Sequence, residues 1–103
     1  MITERMTFQA KYGQGDDLVQ LMKQSMTEMP MGDTAGARLY TDMTGKMFTV
    51  VMEIDYADLA AYARSSEEGM EQYNQASFQD WFGKMVAITE GGERQLFNSE
   101  KLA

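Results

Sequence analysis

The sequence predicts an α+β domain in which strands and helices follow the order β-α-β-β-α-β. Three observations predict it. Residues 2–12 alternate in polarity, as a strand with one apolar face does. Residues 46–56, KMFTVVMEIDY, form the longest β-branched and apolar run, with Thr44-Gly45 before it and Asp55 and Asp58 at its end. Two other stretches place apolar residues three and four apart, the spacing of an amphipathic helix.

In the first strand Ile2, Met6, Phe8, Ala10 and Tyr12 share one parity, interrupted only by Glu4. Thr3, Arg5, Thr7, Gln9 and Lys11 share the other. Gly13-Gln14-Gly15 ends the strand. A helix follows over residues 16–29. Asp16 and Asp17 occupy its first turn, where the helix dipole favours negative charge, and Leu18, Leu21, Met22, Met26 and Met29 form its stripe. Pro30 and Gly32 stop it, and residues 31–36 read as a loop.

Residues 37–43 are a second strand, and Thr44-Gly45 has the composition of a tight hairpin turn into the third. With a two-residue turn, Leu39 faces Val50 and Thr41 faces Phe48. Leu39, Phe48, Val50, Met52 and Ile54 then lie on one face. Arg38, Tyr40, Asp42, Met47, Thr49, Val51 and Glu53 lie on the other. A slip of one residue would mix the two sets.

Residues 58–64 form a short helical piece with Leu59, Tyr62 and Ala63 inward, and residues 65–69 break it. A longer helix runs over 70–88 with Met70, Tyr73, Ser77/Phe78, Trp81, Phe82, Met85 and Ile88 on its stripe. Gly83 inside it costs about 1 kcal/mol against alanine, which implies close backbone packing there or an earlier helix end. Gly91-Gly92 reads as a turn, 93–99 as the last strand and 100–103 as a frayed tail. Leu96 and Phe97 have opposite parity, so the core face of this strand stays open.

Two β-α-β units joined by a hairpin make the ferredoxin-like βαββαβ arrangement. Right-handed crossovers put both helices on one face of a four-stranded antiparallel sheet. At 103 residues, a single domain spanning 1–103 is expected.

Composition narrows the chemistry. Nine basic and sixteen acidic residues give a net charge of −7, which disfavours nucleic-acid binding. The chain has no cysteine and no histidine. Disulfides, thiol nucleophiles, cysteine metal sites, the usual neutral-pH base and a His-ligated haem are therefore excluded. No cofactor and no metal are expected. The start MITERMTFQ carries no apolar signal-peptide core, and no run approaches the ~20 apolar residues of a membrane span. No membrane association and a cytoplasmic location are the expectation.

The sheet face without helices would show Tyr40, Met47 and Val51, and Phe97 if that residue turns outward, among Arg5, Arg38 and Glu53. An exposed apolar patch of this kind marks an interface. The expected partner is a second copy of the chain stacked sheet to sheet, with Arg5 or Arg38 paired to Glu53 inside the interface. The plainer alternative is a solvated sheet with scattered hydrophobes.

The element order, the hairpin ARLYTDMTGKMFTVVMEID, the broken second helix and the final GGERQLF strand together resemble the dimeric α/β-barrel superfamily over nearly the whole chain. NIPSNAP-like and uncharacterised small barrel proteins are the nearest in kind, and antibiotic-biosynthesis-type monooxygenases are more distant. The resemblance implies a homodimer with a pocket in each subunit between sheet and helices. In the cofactor-independent oxygenases of this group an Asn on the first strand and a Trp on the second long helix shape the pocket. Trp81 matches the second, and the first strand here carries no Asn.

The candidate pocket residues are Tyr62, Tyr73, Asn74, Phe78 and Trp81. An aromatic stripe at helical spacing is first of all core, and it could also line a pocket. The hydroxyls of Tyr62 and Tyr73 need partners if buried, or reach the surface. Asn74 lies about 100° around the helix from Tyr73, flanking the stripe. The candidate interface residues are Arg38, Tyr40, Met47, Val51 and Glu53, with intersubunit ion pairing as the economical role for Arg38 and bidentate capture of a ligand carboxylate as the other. Glu53 and Asp55 share a strand face, but Asp55 is expected to cap the following helix. Asp16-Asp17 and Glu67-Glu68 read as helix-start charges. Of the eleven methionines, Met22, Met26, Met52, Met70 and Met85 fall on core faces and make the interior adaptable to an apolar ligand.

Three functions compete at this level. The first is a small dimeric barrel binding an apolar or aromatic small molecule. The second is a cofactor-independent monooxygenase or isomerase using Trp81, Tyr62 and Tyr73. The third is a structural or regulatory partner acting through its acidic surface.

Overall fold

The computed structural model describes residues 1–29, 32–100 and 102. Its elements are β1 (Ile2–Ala10), α1 (Gly15–Glu28), β2 (Gly36–Thr41), β3 (Thr49–Tyr56), α2 (Leu59–Gln72), α3 (Ala76–Ile88) and β4 (Thr89–Asn98). The strands form one antiparallel sheet in the order β2-β3-β1-β4, the ferredoxin-like α+β arrangement. The molecule measures 40 × 36 × 19 Å, so its short axis holds one sheet and one helical layer. The stop assigned to Pro30, the loop position Met31 and the tail positions Lys101 and Ala103 lie outside the described residues. No helix among the described residues is long and apolar enough to cross a membrane.

The alternating residues of β1 and β3 sort as their parity dictates. Ala10, Val50, Met52, Ile54 and Tyr56 are buried under the helices, together with Leu18 and Met22 of α1 and Ala61 of α2. The opposite faces carry Thr3, Arg5, Arg38, Tyr40, Val51 and Glu53.

The hairpin differs from the two-residue turn. Leu39 pairs with Met52, and Arg38 with Glu53, a register two residues away from the expected one. Residues 43–48 form the connection, with Gly45 at φ 88° and Phe48 at φ 62°. The Phe48 ring packs edge-on to Tyr12 at 5.0 Å and against Gly15, where an added Cβ would come within 2.9 Å of it. This anchoring offsets the left-handed backbone of Phe48, which is unfavourable for a bulky residue. Because the slip is even, every side chain keeps its expected face.

The helical breaks are also redistributed. Residues 65–69 do not interrupt α2, and the kink falls at residues 73–75. Gly69 is carried by good helix formers around it, and a single glycine costs only about 1 kcal/mol. Asp58 caps α2, its Oδ1 accepting from the Ala61 amide at 2.8 Å. Asp55, expected in that role, is engaged on the sheet. Gly83 sits within α3 with no atom within 4 Å of an added Cβ, so neither close packing in this chain nor an early helix end accounts for it.

Gly91 and Gly92 are not a turn: α3 runs directly into β4, which pairs with β1 along its length. An added Cβ at Gly92 would lie 3.0 Å from the Phe8 ring, which explains the glycine. In β4, Leu96 pairs with Glu4 on the helix side and Phe97 with Thr3 on the open side.

Candidate functional site

A cleft of about 230 Å³ opens between the sheet and the helices. Met6 of β1 and Met52 and Ile54 of β3 form its floor, because these parity positions face the helical layer. Tyr73, Phe78 and Trp81 wall one side. The kink at residues 73–75 brings those rings together: Phe78 lies 5.0 Å from Tyr73 and 5.9 Å from Trp81. Gly69 leaves room at the wall, with nothing within 4 Å of an added Cβ. Trp81 is pinned in place, its Nε1 donating to the Leu21 carbonyl of α1 at 2.8 Å. Its indole N–H is thus spent on the α1–α3 contact, and its ring is what the cleft meets.

The polar residues of the cleft lining are Ser25, Tyr56, Ser65 and Gln72, and Glu4 stands outside that lining. Glu4 is 6% exposed, a buried acid on the otherwise apolar face of β1. Its Oε2 accepts from the Tyr62 hydroxyl at 3.0 Å and from Arg94 Nε at 3.1 Å. The rings of Tyr56 and Tyr62 meet edge to face at 5.2 Å. Burial pushes both phenols above their ordinary value, and the negative Glu4 adds to the rise.

The open sheet face carries a second, charged cluster. Arg5 Nε donates to Glu53 Oε2 at 2.8 Å, and Arg38 Nε to Glu53 Oε1 at 3.2 Å. Arg38 also forks onto Asp55, and Thr3 donates to Asp55 Oδ1 at 2.7 Å. The Arg38 bonds, opposed by burial and helped by Thr3, hold the Asp55 carboxyl at about 2. Burial works against ionisation of Glu53, yet Arg5 and Arg38 outweigh it and keep its pKa low. Arg38 is raised in turn, first by Asp55 and then by Glu53. Arg5 lies 5.0 Å from the Phe97 ring centroid, over its face.

Of the pocket residues named from sequence, Tyr73, Phe78 and Trp81 are brought together at the cleft. Tyr62 is not at its wall but at Glu4, and Asn74 is exposed in the turn between α2 and α3. Of the interface residues, Arg38, Tyr40, Val51 and Glu53 share the open face, whereas Met47 belongs to the β2–β3 connection. Both arginine partners of Glu53 are supplied within the chain, not across an interface. Sequence reasoning passed over Glu4, Tyr56 and Ser65. The signal for Glu4 was its break in the parity of the first strand. Among the described residues, no group of three or more His, Cys, Asp or Glu side chains is placed to hold a metal ion.

No protein-family model matches the sequence, and no curated protein matches it. Solved structures do match in shape. An uncharacterised NIPSNAP domain protein from Burkholderia xenovorans superposes with a TM-score of 0.78 at 16% identity, covering 100% of this chain and 98% of that one. A NIPSNAP family protein of unknown function from Agrobacterium tumefaciens gives 0.78 at 15% identity, covering 100% of this chain and 91% of that one. SnoaB, a cofactor-independent oxygenase from Streptomyces nogalater, gives 0.65 at 16% identity, covering 97% and 93%. At these identities the likeness is one of fold: the chain has the fold of the NIPSNAP-family structures and, more distantly, of SnoaB.

Proposed function

We propose that this protein is a homodimeric barrel subunit that binds an apolar or aromatic small molecule in the cleft between sheet and helices. The carrying observation is the cleft itself, with a methionine and isoleucine floor and a wall of three aromatic rings. Small-molecule sites are concave and mostly apolar with few polar groups, and methionine floors adapt to ligand shape. The homodimer is supported by the open sheet face, where Tyr40 is 47% and Phe97 38% exposed. Its charges balance: Arg5 and Arg38 stand against Glu53 and Asp55, all paired within the chain. Covering these four groups would strand none of their charges. Native mass spectrometry followed by denaturing mass analysis tests both parts. A dimer carrying mass that leaves on denaturation is expected. A monomer overturns the dimer. A bare protein that shows no thermal shift across a broad screen of aromatic ligands overturns the binding.

A second reading is a cofactor-independent monooxygenase or isomerase. The fold likeness to SnoaB and the ring of Trp81 in the cleft wall support the monooxygenase. In such chemistry an electron-rich substrate supplies every electron that dioxygen takes up. Turnover of a polycyclic phenol, abolished in Trp81→Phe, is its test.

A further inference from the structure

We propose that the cleft takes an elongated aromatic acid, with its rings over the methionine floor and its carboxylate on Arg94 of β4. Arg94 then determines specificity, and the ligand class is an aromatic body bearing a carboxylate on a short apolar arm. This rests on the small-molecule reading of the cleft and specifies it.

Strand pairing lays out the site. On the helix side of the sheet Leu39 pairs with Met52, Met52 with Met6, and Met6 with Arg94. The four form one row across the strands from β2 to β4. Neighbouring strands stand about 4.8 Å apart, so Arg94 is rooted one spacing from Met6 and about 10 Å from Met52. The row is hydrocarbon and thioether up to its last member, which is a guanidinium. Two hollows meet along it. The cleft of about 230 Å³ lies over Met52 and Met6. A groove of about 310 Å³ lies toward β4, lined by Met6, Phe8, Gly92, Glu93 and Arg94. Met6 lines both, and its flexible, unbranched thioether suits a position that a ligand must pass. Phe8 gives the groove an apolar wall, and Gly92 brings no side chain to fill it.

The charges hold Arg94 in place and leave it open. Its Nε meets Glu4 Oε2 at 3.1 Å, and the Glu4 side chain, 7% exposed, also takes the Tyr62 hydroxyl at 3.0 Å. The Arg94 side chain is itself 63% exposed, and its two Nη groups have no hydrogen-bond partner among the described residues. A buried acid thus anchors an exposed guanidinium. Stability alone does not account for such a pair, because well-packed hydrophobic residues in its place are often as stabilising or more so. The two Nη groups form a planar fork that matches a carboxylate. The described lining of the cleft carries no charged residue, so Arg94 is the cation at the end of an uncharged site. Glu93 pairs with Thr7 and has the parity of the open sheet face, opposite to that of Arg94.

The test titrates three probes of one shape calorimetrically into the purified protein at pH 7: 3-(2-naphthyl)propanoate, its neutral amide and the corresponding propylammonium. The propanoate is expected to bind about fivefold tighter than the amide, the worth of an ion pair at a largely exposed guanidinium, and the ammonium weakest. Arg94→Gln is expected to bring the propanoate down to the level of the amide. Because that variant also takes a partner from Glu4, the double variant Glu4→Gln/Arg94→Gln repeats the comparison with no acid left unpaired, and the preference is expected to stay lost. An amide as tight as the propanoate, a tightest-binding ammonium, or a propanoate preference that survives the loss of Arg94 overturns the assignment while leaving the cleft reading intact. Binding of none of the three overturns the cleft reading and this inference with it. The ranking on the unmodified protein decides even where neither variant folds.

Discussion

Arg38 and Asp55 are joined by two parallel hydrogen bonds, Nη1 to Oδ2 at 2.6 Å and Nη2 to Oδ1 at 2.9 Å, diagonally across the β2–β3 ladder. The pair makes stability depend on pH in a defined direction. The Asp55 carboxyl stands at about 2 in the folded chain against 3.8 for the free group. A depressed carboxyl contributes stability that is fully present above 3.8 and is lost as pH falls through about 2. That difference corresponds to at most about 2.5 kcal/mol, and the half-exposed Arg38 side chain reduces it to on the order of 1 kcal/mol. Urea midpoints are expected to fall between pH 5 and pH 2, and Asp55→Asn to flatten that fall while lowering stability at pH 7. Parallel curves for the two proteins would show that the fork contributes nothing.

The Glu4 cluster makes a prediction about stability alone. Tyr62→Phe removes a 3.0 Å donor from a buried carboxylate and keeps the ring that packs on Tyr56. A hydrogen bond to a charged group is worth about 1.5–3 kcal/mol, so a loss in that range is expected from denaturant unfolding at pH 7. A change below about 0.5 kcal/mol, the ordinary size for a surface substitution, would mean that Glu4 is satisfied without Tyr62.

Two glycines are expected to respond in opposite senses. Gly83 lies in α3 with open space around an added Cβ, so Gly83→Ala should stabilise by about 1 kcal/mol. Gly92 lies in β4 against Phe8, with the Phe8 ring 3.0 Å and the Thr7 carbonyl 3.3 Å from an added Cβ, so Gly92→Ala should destabilise by about 1–3 kcal/mol. Thermal melts of the two variants check the contrast. Destabilisation by Gly83→Ala would show that the space beside Gly83 is filled in solution.

These residues also show what could be read in advance. The strand faces were legible because a period of two leaves little freedom: Met52 and Ile54 had to face one way and Val51 and Glu53 the other. The connection was not, because Thr44-Gly45 has hairpin chemistry. The real register depends on Phe48 holding a positive φ against Tyr12 and Gly15, a tertiary contact invisible to local pattern. Glycines misled where their neighbours outweighed their own weak propensity: Gly69 stays helical among good helix formers, and Gly91-Gly92 stays extended in the pairing of β4 with β1. Within the cleft, Tyr73, Phe78 and Trp81 were found because they share a helical stripe. Glu4 was visible as an irregularity, but its partner Tyr62 stands 58 residues away, and no spacing rule connects them.

Gly69 offers the cleanest way to close the cleft without disturbing the fold. It is a helical position that lines the cleft, and an added Cβ meets nothing within 4 Å. Gly69→Leu should therefore gain up to about 1 kcal/mol of helix propensity and place its side chain in the ligand's volume. Trp81 is the single tryptophan of the chain and lines the same cleft, so its emission reports both occupancy and integrity. A native-like Trp81 spectrum, an unchanged or raised melting temperature and a loss of calorimetric binding are expected together. Retained binding of an aromatic probe in this variant would move the ligand site away from the cleft. A disturbed spectrum would show instead that the cleft is packed more tightly than 230 Å³ of space allows.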